Sequence, residues 1–287
     1  LIMEKKKVVV IGHKNPDTDS ICSAIAYAGL KNIIDAETEY VPLRAGQINE
    51  ETQYVLKQFG MSAPQYVTDV KSQVKDIEIR KIDGVDRNIS IKAAWKLMRD
   101  KGVVTLPITK DNKLEGLITI ADIATSYMDV HDSTTLSTAR TVCRNIVETL
   151  DGELIIGDEH HVFDRGKVLV AAANPDLMES YIKMRDIVIL GNRYESQLCA
   201  IEMQAGCIVV CEGAPVSMTI KKLAVENHCT IISTPHDTFT ASRLINQSVP
   251  ISFFMRTEGL ITFSTEAYTD EVRQVMAKKR HRDFPPP

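Results

Sequence analysis

The chain of 287 residues is 44% apolar and 25% charged, the composition of an ordinary globular protein of about two domains. A net charge of −4 leaves no basic field to hold a nucleic-acid backbone. No apolar run approaches the roughly 18 residues of a membrane helix, and Lys5 to Lys7 precede only Val8 to Ile11, too short for the core of a secretion signal.

In chain order, residues 8 to 12 read as a fully buried parallel strand. The next run carries Ile21, Ile25 and Ala28 at helical spacing, with Asp19 or Ser20 as N-cap. A strand is expected over residues 38 to 46 and a helix over 49 to 59, which opens a doubly wound α/β sheet. Residues 61 to 65 read as a boundary. Residues 89 to 128 predict a helix, a strand, a tight turn at Asp111-Asn112, a second strand and a second helix. Beyond 145, strands are expected at 154 to 157, 167 to 172, 186 to 191, 207 to 211 and 229 to 234. Helices are expected around 175 to 184, 194 to 204, 217 to 227 and 238 to 246.

One internal echo links Met98 to Pro107 with Met276 to Pro285, each a helix end, a link and a proline opening a strand. The second copy meets Pro285, Pro286 and Pro287, which cannot donate to a sheet ladder, so it is expected to stop inside a domain. The six cysteines form no C-x-x-C pair and read as free thiols, which points to a reducing cytoplasm.

The first candidate site is the turn after the first strand, H-x-x-x-D-x-D, holding His13, Asp17 and Asp19. Ligands bind at the carboxyl ends of strands in open parallel sheets. Mixed nitrogen and oxygen donors suit Mn²⁺, Co²⁺ or a similar ion, and Asn15-Pro16 is expected to tighten the turn so that all three side chains converge. A second candidate is Gly116, Thr119 and Asp122, with the last two on one helix face. A capping residue plus a turn is the rival reading of that motif.

The stretch "GHKNPDTDSICSAIAY" resembles the first motif of the DHH phosphoesterases, and most closely that of family II inorganic pyrophosphatases. Gly46, Asn49, Glu51 and Thr52 extend the resemblance, which is close over residues 8 to 60. It implies that His13, Asp17 and Asp19 are metal ligands for pyrophosphate hydrolysis with Mn²⁺ or Co²⁺ and Mg²⁺. "LPITKDNKLEGLITIADI" is similar to a CBS half-module, in which the Asp binds a ribose diol and the Thr a ribose or phosphate. That implies a nucleotide site at Thr119 and Asp122, with Lys101, and with Arg280, His281 and Arg282 of a second module; the last three read equally as a solvated basic face. The ligand implied is AMP, ADP or a diadenosine polyphosphate, and the modules imply a homodimer.

Residues 145 to 247 resemble the DRTGG domain of the regulated subfamily, although those five letters do not occur. The expected organisation is therefore part of a DHH domain (1–64), a CBS module (65–130), a DRTGG-like domain (131–247) and an incomplete second CBS module (248–287). "GDEHH" at 157 to 161 is not the Asp-His-His signature of the family, since it has an extra Glu159. His160 and His161 are expected at the surface. With three ligands and no such signature, the chain is expected to be the N-terminal portion of a nucleotide-regulated pyrophosphatase, inactive alone. The alternative is a nucleotide-sensing fragment without catalysis. A DHH-type exonuclease or cyclic-dinucleotide phosphodiesterase ranks behind both.

Overall fold

The structure, a computed structural model, describes residues 5–79, 81–128, 132–171 and 173–279. Arg280, His281 and Arg282 lie outside the described residues. The chain forms two compact units, one of residues up to Ile77 with Glu266–Lys278, the other Glu78–Thr265.

The first unit carries β1 (Lys6–Ile11), α1 (Thr18–Ile34), β2 (Thr38–Arg44), α2 (Glu50–Gln58) and β3 (Gln65–Tyr66). The strands form a parallel sheet in the order β1-β2-β3, with Lys6 opposite Thr38 and Ile11 opposite Leu43. Helix α1 buries Ile21, Ala24 and Ala28, three and four residues apart, which is one stripe of a helix. Its other face leaves Tyr27, Leu30, Ile33 and Ile34 exposed. The expected full burial of the first strand is not observed: Val9 is 44% exposed. Among the described residues β1 is an edge strand, paired only with β2, so its second side meets no neighbour. The helix Thr269–Lys279, one arm of the internal echo, belongs to this unit. The Val74 amide donates to the Ala267 carbonyl and the Thr269 amide to that of Ser72.

The second unit opens with α3 (Ile91–Lys101), β4 (Thr105–Lys110), β5 (Lys113–Thr119) and α4 (Ile120–Met128). The β4-β5 hairpin closes where the sequence predicts, with φ of 51° at Asp111 and 60° at Asn112, the left-handed pair of a tight hairpin turn. Then follow α5 (Thr135–Thr138), β6 (Thr141–Val142), α6 (Cys143–Thr149), β7 (Glu153–Ile156), β8 (Val162–Phe163) and β9 (Val168–Val170). The unit continues with α7 (Pro175–Tyr181), β10 (Ile187–Leu190), α8 (Tyr194–Glu202), β11 (Cys207–Val210), α9 (Met218–Glu226), β12 (Thr230–Ser233) and α10 (Thr238–Leu244). The five-stranded sheet has the order β7-β12-β11-β10-β9, parallel except for β7.

Strands β10 and β11 are buried at every position, and their period of two divides the side chains between two cores. Ile187, Ile189, Cys207 and Val209 join Ile91, Ala94, Met98, Ile108 and Ile118 of the helix-hairpin segment in one cluster. Val188, Leu190, Ile208 and Val210 pack with Met178, Ala200, Ile220 and Ala224 in the other. One face of the sheet thus completes the core of the hairpin segment. For that reason residues 78–128 pack in one compact unit with residues 132–265, while residues 65–77 of the expected CBS module fall in the first unit. Helix α6, which the sequence reading leaves out, belongs to this shared core through Cys143, Ile146 and Leu150.

Candidate functional site

Two places carry the predicted site residues, one in each unit. In the first, the turn between β1 and α1 holds His13 and Asp17, and the first turn of α1 holds Asp19. Asp17 is the N-cap of α1: its Oδ1 accepts from the Ser20 amide at 2.8 Å. His13 Nε2 lies 3.5 Å from the same oxygen. The Ser20 amide, chiefly, holds the Asp17 carboxyl below its ordinary value, with help from His13 and against a smaller burial cost. Asp17 therefore stands ionised at neutral pH, the form a metal ligand needs.

Asp19 lies in the first turn of α1, where its Oδ1 accepts from Ser23 Oγ at 3.2 Å. Of the three donors predicted to converge, His13 and Asp17 adjoin, while Asp19 bonds Ser23. Among the described residues no three of His, Cys, Asp and Glu group to hold a metal ion. The reason is helical phase: the cap faces back into the turn, while two residues later the carboxylate leans along the helix. An imidazole nitrogen and a carboxylate oxygen fit two positions on a divalent transition ion; the third predicted donor does not stand with them.

Residues to which the sequence reading gave no structural task hold this turn in place. Gly12 backs onto Ser20, whose Oγ a Cβ at that position would strike. A Cβ on Gly46 would strike the Lys14 carbonyl and would meet Pro16 at 2.6 Å, so only glycine lets the loop after β2 support the turn. Asn49 caps α2 through the Thr52 amide at 2.8 Å and also accepts from the Thr52 hydroxyl at 2.7 Å. The Thr52 hydroxyl lies 3.0 Å from that of Thr18, which joins the starts of the two helices. The signal for this was the Gly46-to-Thr52 stretch itself.

In the second unit the structure brings Thr119 and Asp122 together as a capping box at the start of α4. Thr119 donates to Asp122 Oδ2 from its amide at 2.8 Å and from its hydroxyl at 2.6 Å. The Asp122 amide returns a bond to the Thr119 hydroxyl at 3.2 Å. The rival capping reading is thus realised, and it does not exclude a ligand. Asp122 Oδ1 is held by Arg256, from Nε at 2.9 Å and Nη2 at 2.7 Å. Sequence reasoning missed Arg256, which lies 134 positions away. Gly116 is explained by the same neighbour: a Cβ there would meet the Arg256 carbonyl at 2.8 Å. Lys101 does not join this pair; its Nζ lies 3.7 Å from Asp83.

Residues 157 to 161 have a structural task. The carbonyls of Glu159 and His161 accept from the Arg144 and Cys143 amides, at 2.9 Å and 2.8 Å, and so satisfy the free amides at the start of α6. Glu159 also pairs with Arg144 at 2.6 Å, and His160 is exposed. A cavity of about 120 Å³ lined by Ile91, Tyr127, Arg243 and Phe254 is smaller than the ~300 Å³ at which small-molecule pockets begin.

A CBS domain model matches residues 74–129 and a DRTGG domain model residues 145–248. The chain is 40% identical over 283 residues to the cobalt-dependent inorganic pyrophosphatase of Clostridium perfringens, covering 98% of this chain and 51% of that protein. It is 30% identical over 277 residues to the probable manganese-dependent inorganic pyrophosphatase of Thermotoga maritima, covering 96% of this chain and 50% of that protein. The chain spans about half the length of these curated relatives. A solved structure matches with a TM-score of 0.71 at 37% identity, over 75% of this chain and 94% of the other. It is the CBS and DRTGG domains of the regulatory region of Clostridium perfringens pyrophosphatase, complexed with the activator diadenosine tetraphosphate. With both domain models in place and 94% of that region matched at 37% identity, the chain belongs to the family of CBS–DRTGG regulatory regions of pyrophosphatases.

Proposed function

We propose that this chain is the nucleotide-sensing portion, with the first metal motif, of an enzyme that hydrolyses inorganic pyrophosphate to two phosphates. The observation that carries the regulatory half is the 37% identity, at a TM-score of 0.71, with a region that binds diadenosine tetraphosphate. In this reading Thr119 and Asp122 hold the ribose of AMP, ADP or a diadenosine polyphosphate, and Lys101, Arg280, His281 and Arg282 reach its phosphates. In the same reading the CBS modules pair two copies into a homodimer, and the free, mostly buried thiols support a reducing, cytoplasmic setting.

His13, Asp17 and Asp19 are the residues that would hold Mn²⁺ or Co²⁺, with Mg²⁺ accompanying the substrate. Such an ion supplies a Lewis acid for cleavage of a phosphoric anhydride. Asp17 brings an ionised carboxylate already fixed by the Ser20 amide, and His13 brings an imidazole to the same side. Asp19 joins them on leaving Ser23, a bond between exposed groups that costs little to break. A second reading, nucleotide sensing without turnover, rests on donor number: the motif supplies three ligands, fewer than a two-metal site needs.

The test is pyrophosphate hydrolysis by the 287-residue chain with Mn²⁺ or Co²⁺ plus Mg²⁺, with AMP and diadenosine tetraphosphate titrated by calorimetry on the same sample. Nucleotide binding that Asp122→Ala removes and Asp17→Ala spares supports the reading. Absence of binding refutes the regulatory half. Turnover that Asp17→Ala or Asp19→Ala abolishes supports the enzyme, and nucleotide binding without turnover selects the sensing reading.

A further inference from the structure

The Asp122 carboxylate is full. Its Oδ2 accepts from the Thr119 amide and hydroxyl at 2.8 Å and 2.6 Å, and its Oδ1 from Arg256 Nε and Nη2 at 2.9 Å and 2.7 Å. An ionised carboxylate offers about four lone-pair sites, so no acceptor position remains. A ribose diol brings two O–H donors that need those positions. The diol and the present partners therefore compete for the same atoms.

The four bonds are not equally easy to release. The two from Thr119 belong to the first turn of α4 and are retained with the helix. The two from Arg256 come from a separate segment, and the exposure of the partners differs: the Arg256 side chain is 54% exposed, that of Asp122 only 12%. The guanidinium can turn into water, whereas the carboxylate must keep a donor. The Arg256 backbone stays in place during such a turn. Its amide donates to the Leu117 carbonyl at 2.9 Å and its carbonyl accepts from the Leu117 amide at 3.0 Å, a single antiparallel β-bridge at the edge of β5. Gly116 is the residue that permits this approach.

We propose that Arg256 is the resident occupant of the ribose-diol position, and that nucleoside binding is an exchange in which the diol replaces the guanidinium on Asp122 Oδ1. The proposal rests on the assignment of Asp122 to the ribose made above. It makes Arg256 a determinant of affinity that acts against the ligand: the empty site is stabilised by its own side chain, and every nucleoside must displace it.

The experiment uses adenosine, which carries the diol without phosphate, and 2′-deoxyadenosine, which lacks it. Both are titrated into the full chain and into Arg256→Met, which keeps the stem and removes the donors. Arg256→Met is expected to tighten adenosine three- to tenfold and to leave 2′-deoxyadenosine within twofold. Equal shifts for both nucleosides, no shift, or weaker adenosine binding overturns the exchange. A second measurement guards against a variant that folds poorly: the Nε–H resonance of Arg256 in the wild-type chain should shift as adenosine saturates the site, and a resonance that stays unmoved at saturation overturns the exchange as well. AMP binding that survives Asp122→Ala instead removes the underlying ribose assignment. AMP binding lost in Asp122→Ala, with adenosine unaffected by Arg256→Met, leaves that assignment standing and sinks the exchange alone.

Discussion

Lys92 Nζ and Asp151 Oδ1 meet at 3.0 Å, joining the first helix of the CBS region to the loop that follows α6. The same ammonium donates to the Thr149 carbonyl at 2.8 Å, and His236 Nε2 lies 3.0 Å from the second oxygen of Asp151. One carboxylate thus ties three segments of the second unit. Asp151 has φ of 48°, a left-handed conformation that Asp and Asn tolerate better than most residues.

The Lys92 hydrogen bond, chiefly, holds the Asp151 carboxyl below its ordinary value; His236 adds to this, and partial burial opposes it. A depressed folded-state value means that the unfolded chain takes up the proton first. The stabilisation is complete above the unfolded value of about 4 and is lost as pH falls through the folded one. Because the carboxylate is 57% exposed, the contribution is about 1 kcal/mol or less. Asp151→Asn should lower the urea midpoint at pH 7, and the gap from the wild type should narrow progressively as pH falls below about 4. A gap that stays constant as pH falls would mean that charge is not the cause.

Asn145 sets a larger effect. Its Nδ2 donates to the carbonyls of Asn88 at 2.9 Å and Ser248 at 3.1 Å, with Asn145 only 7% and Ser248 0% exposed. Asn145→Ala leaves these acceptors unpaired and should cost about 2–3 kcal/mol. Asn145→Asp should cost more, since it turns acceptors toward acceptors. Denaturant unfolding checks both, and an Asp variant as stable as the wild type would show that the carbonyls are satisfied by other means.

Asp17 has two tasks that substitution can separate. Asparagine caps a helix nearly as well as aspartate, whereas Asp17→Ala should cost about 1 kcal/mol. Mn²⁺ affinity, read by calorimetry, should fall in both variants, because neither retains the charged oxygen. Full Mn²⁺ affinity in Asp17→Asn would assign this carboxylate to the cap alone.

The thiols give a test of burial. Cys143 and Cys229 are pushed up to about 12 and Cys211 to about 11, each mainly by burial. Cys22 is half-buried, and the other five are buried. A disulfide reagent at pH 8 should label one thiol per chain rapidly and the others only on unfolding. Cys22→Ser should abolish the rapid phase. A rapid phase of two or more thiols would show that at least one of the five buried thiols becomes accessible in the native state.

Local order was legible because it rests on local chemistry. Strands β10 to β12 and helices α7 to α10 stand where continuous apolar runs and capping residues placed them, and Asp111-Asn112 turns as its residue types require. The proximity of Thr119 and Asp122 was legible too, since three positions on a helix start fix it.

What the tertiary structure decided is which of these local pieces meet. It placed Arg256 on Asp122 across 134 positions, a contact created by pairing Arg256 with β5 and invisible to any local pattern. It joined the CBS hairpin and the DRTGG sheet in one core, because the alternate side chains of β10 and β11 must cover something and the hairpin segment supplies it. It put Asp19 on Ser23 while His13 and Asp17 adjoin, since spacing along the chain states which donors exist but not the direction in which a helix turns them. Residue types and their order thus determined the elements and the chemistry available to them, while burial and hydrogen-bond competition between distant segments determined which groups each carboxylate holds.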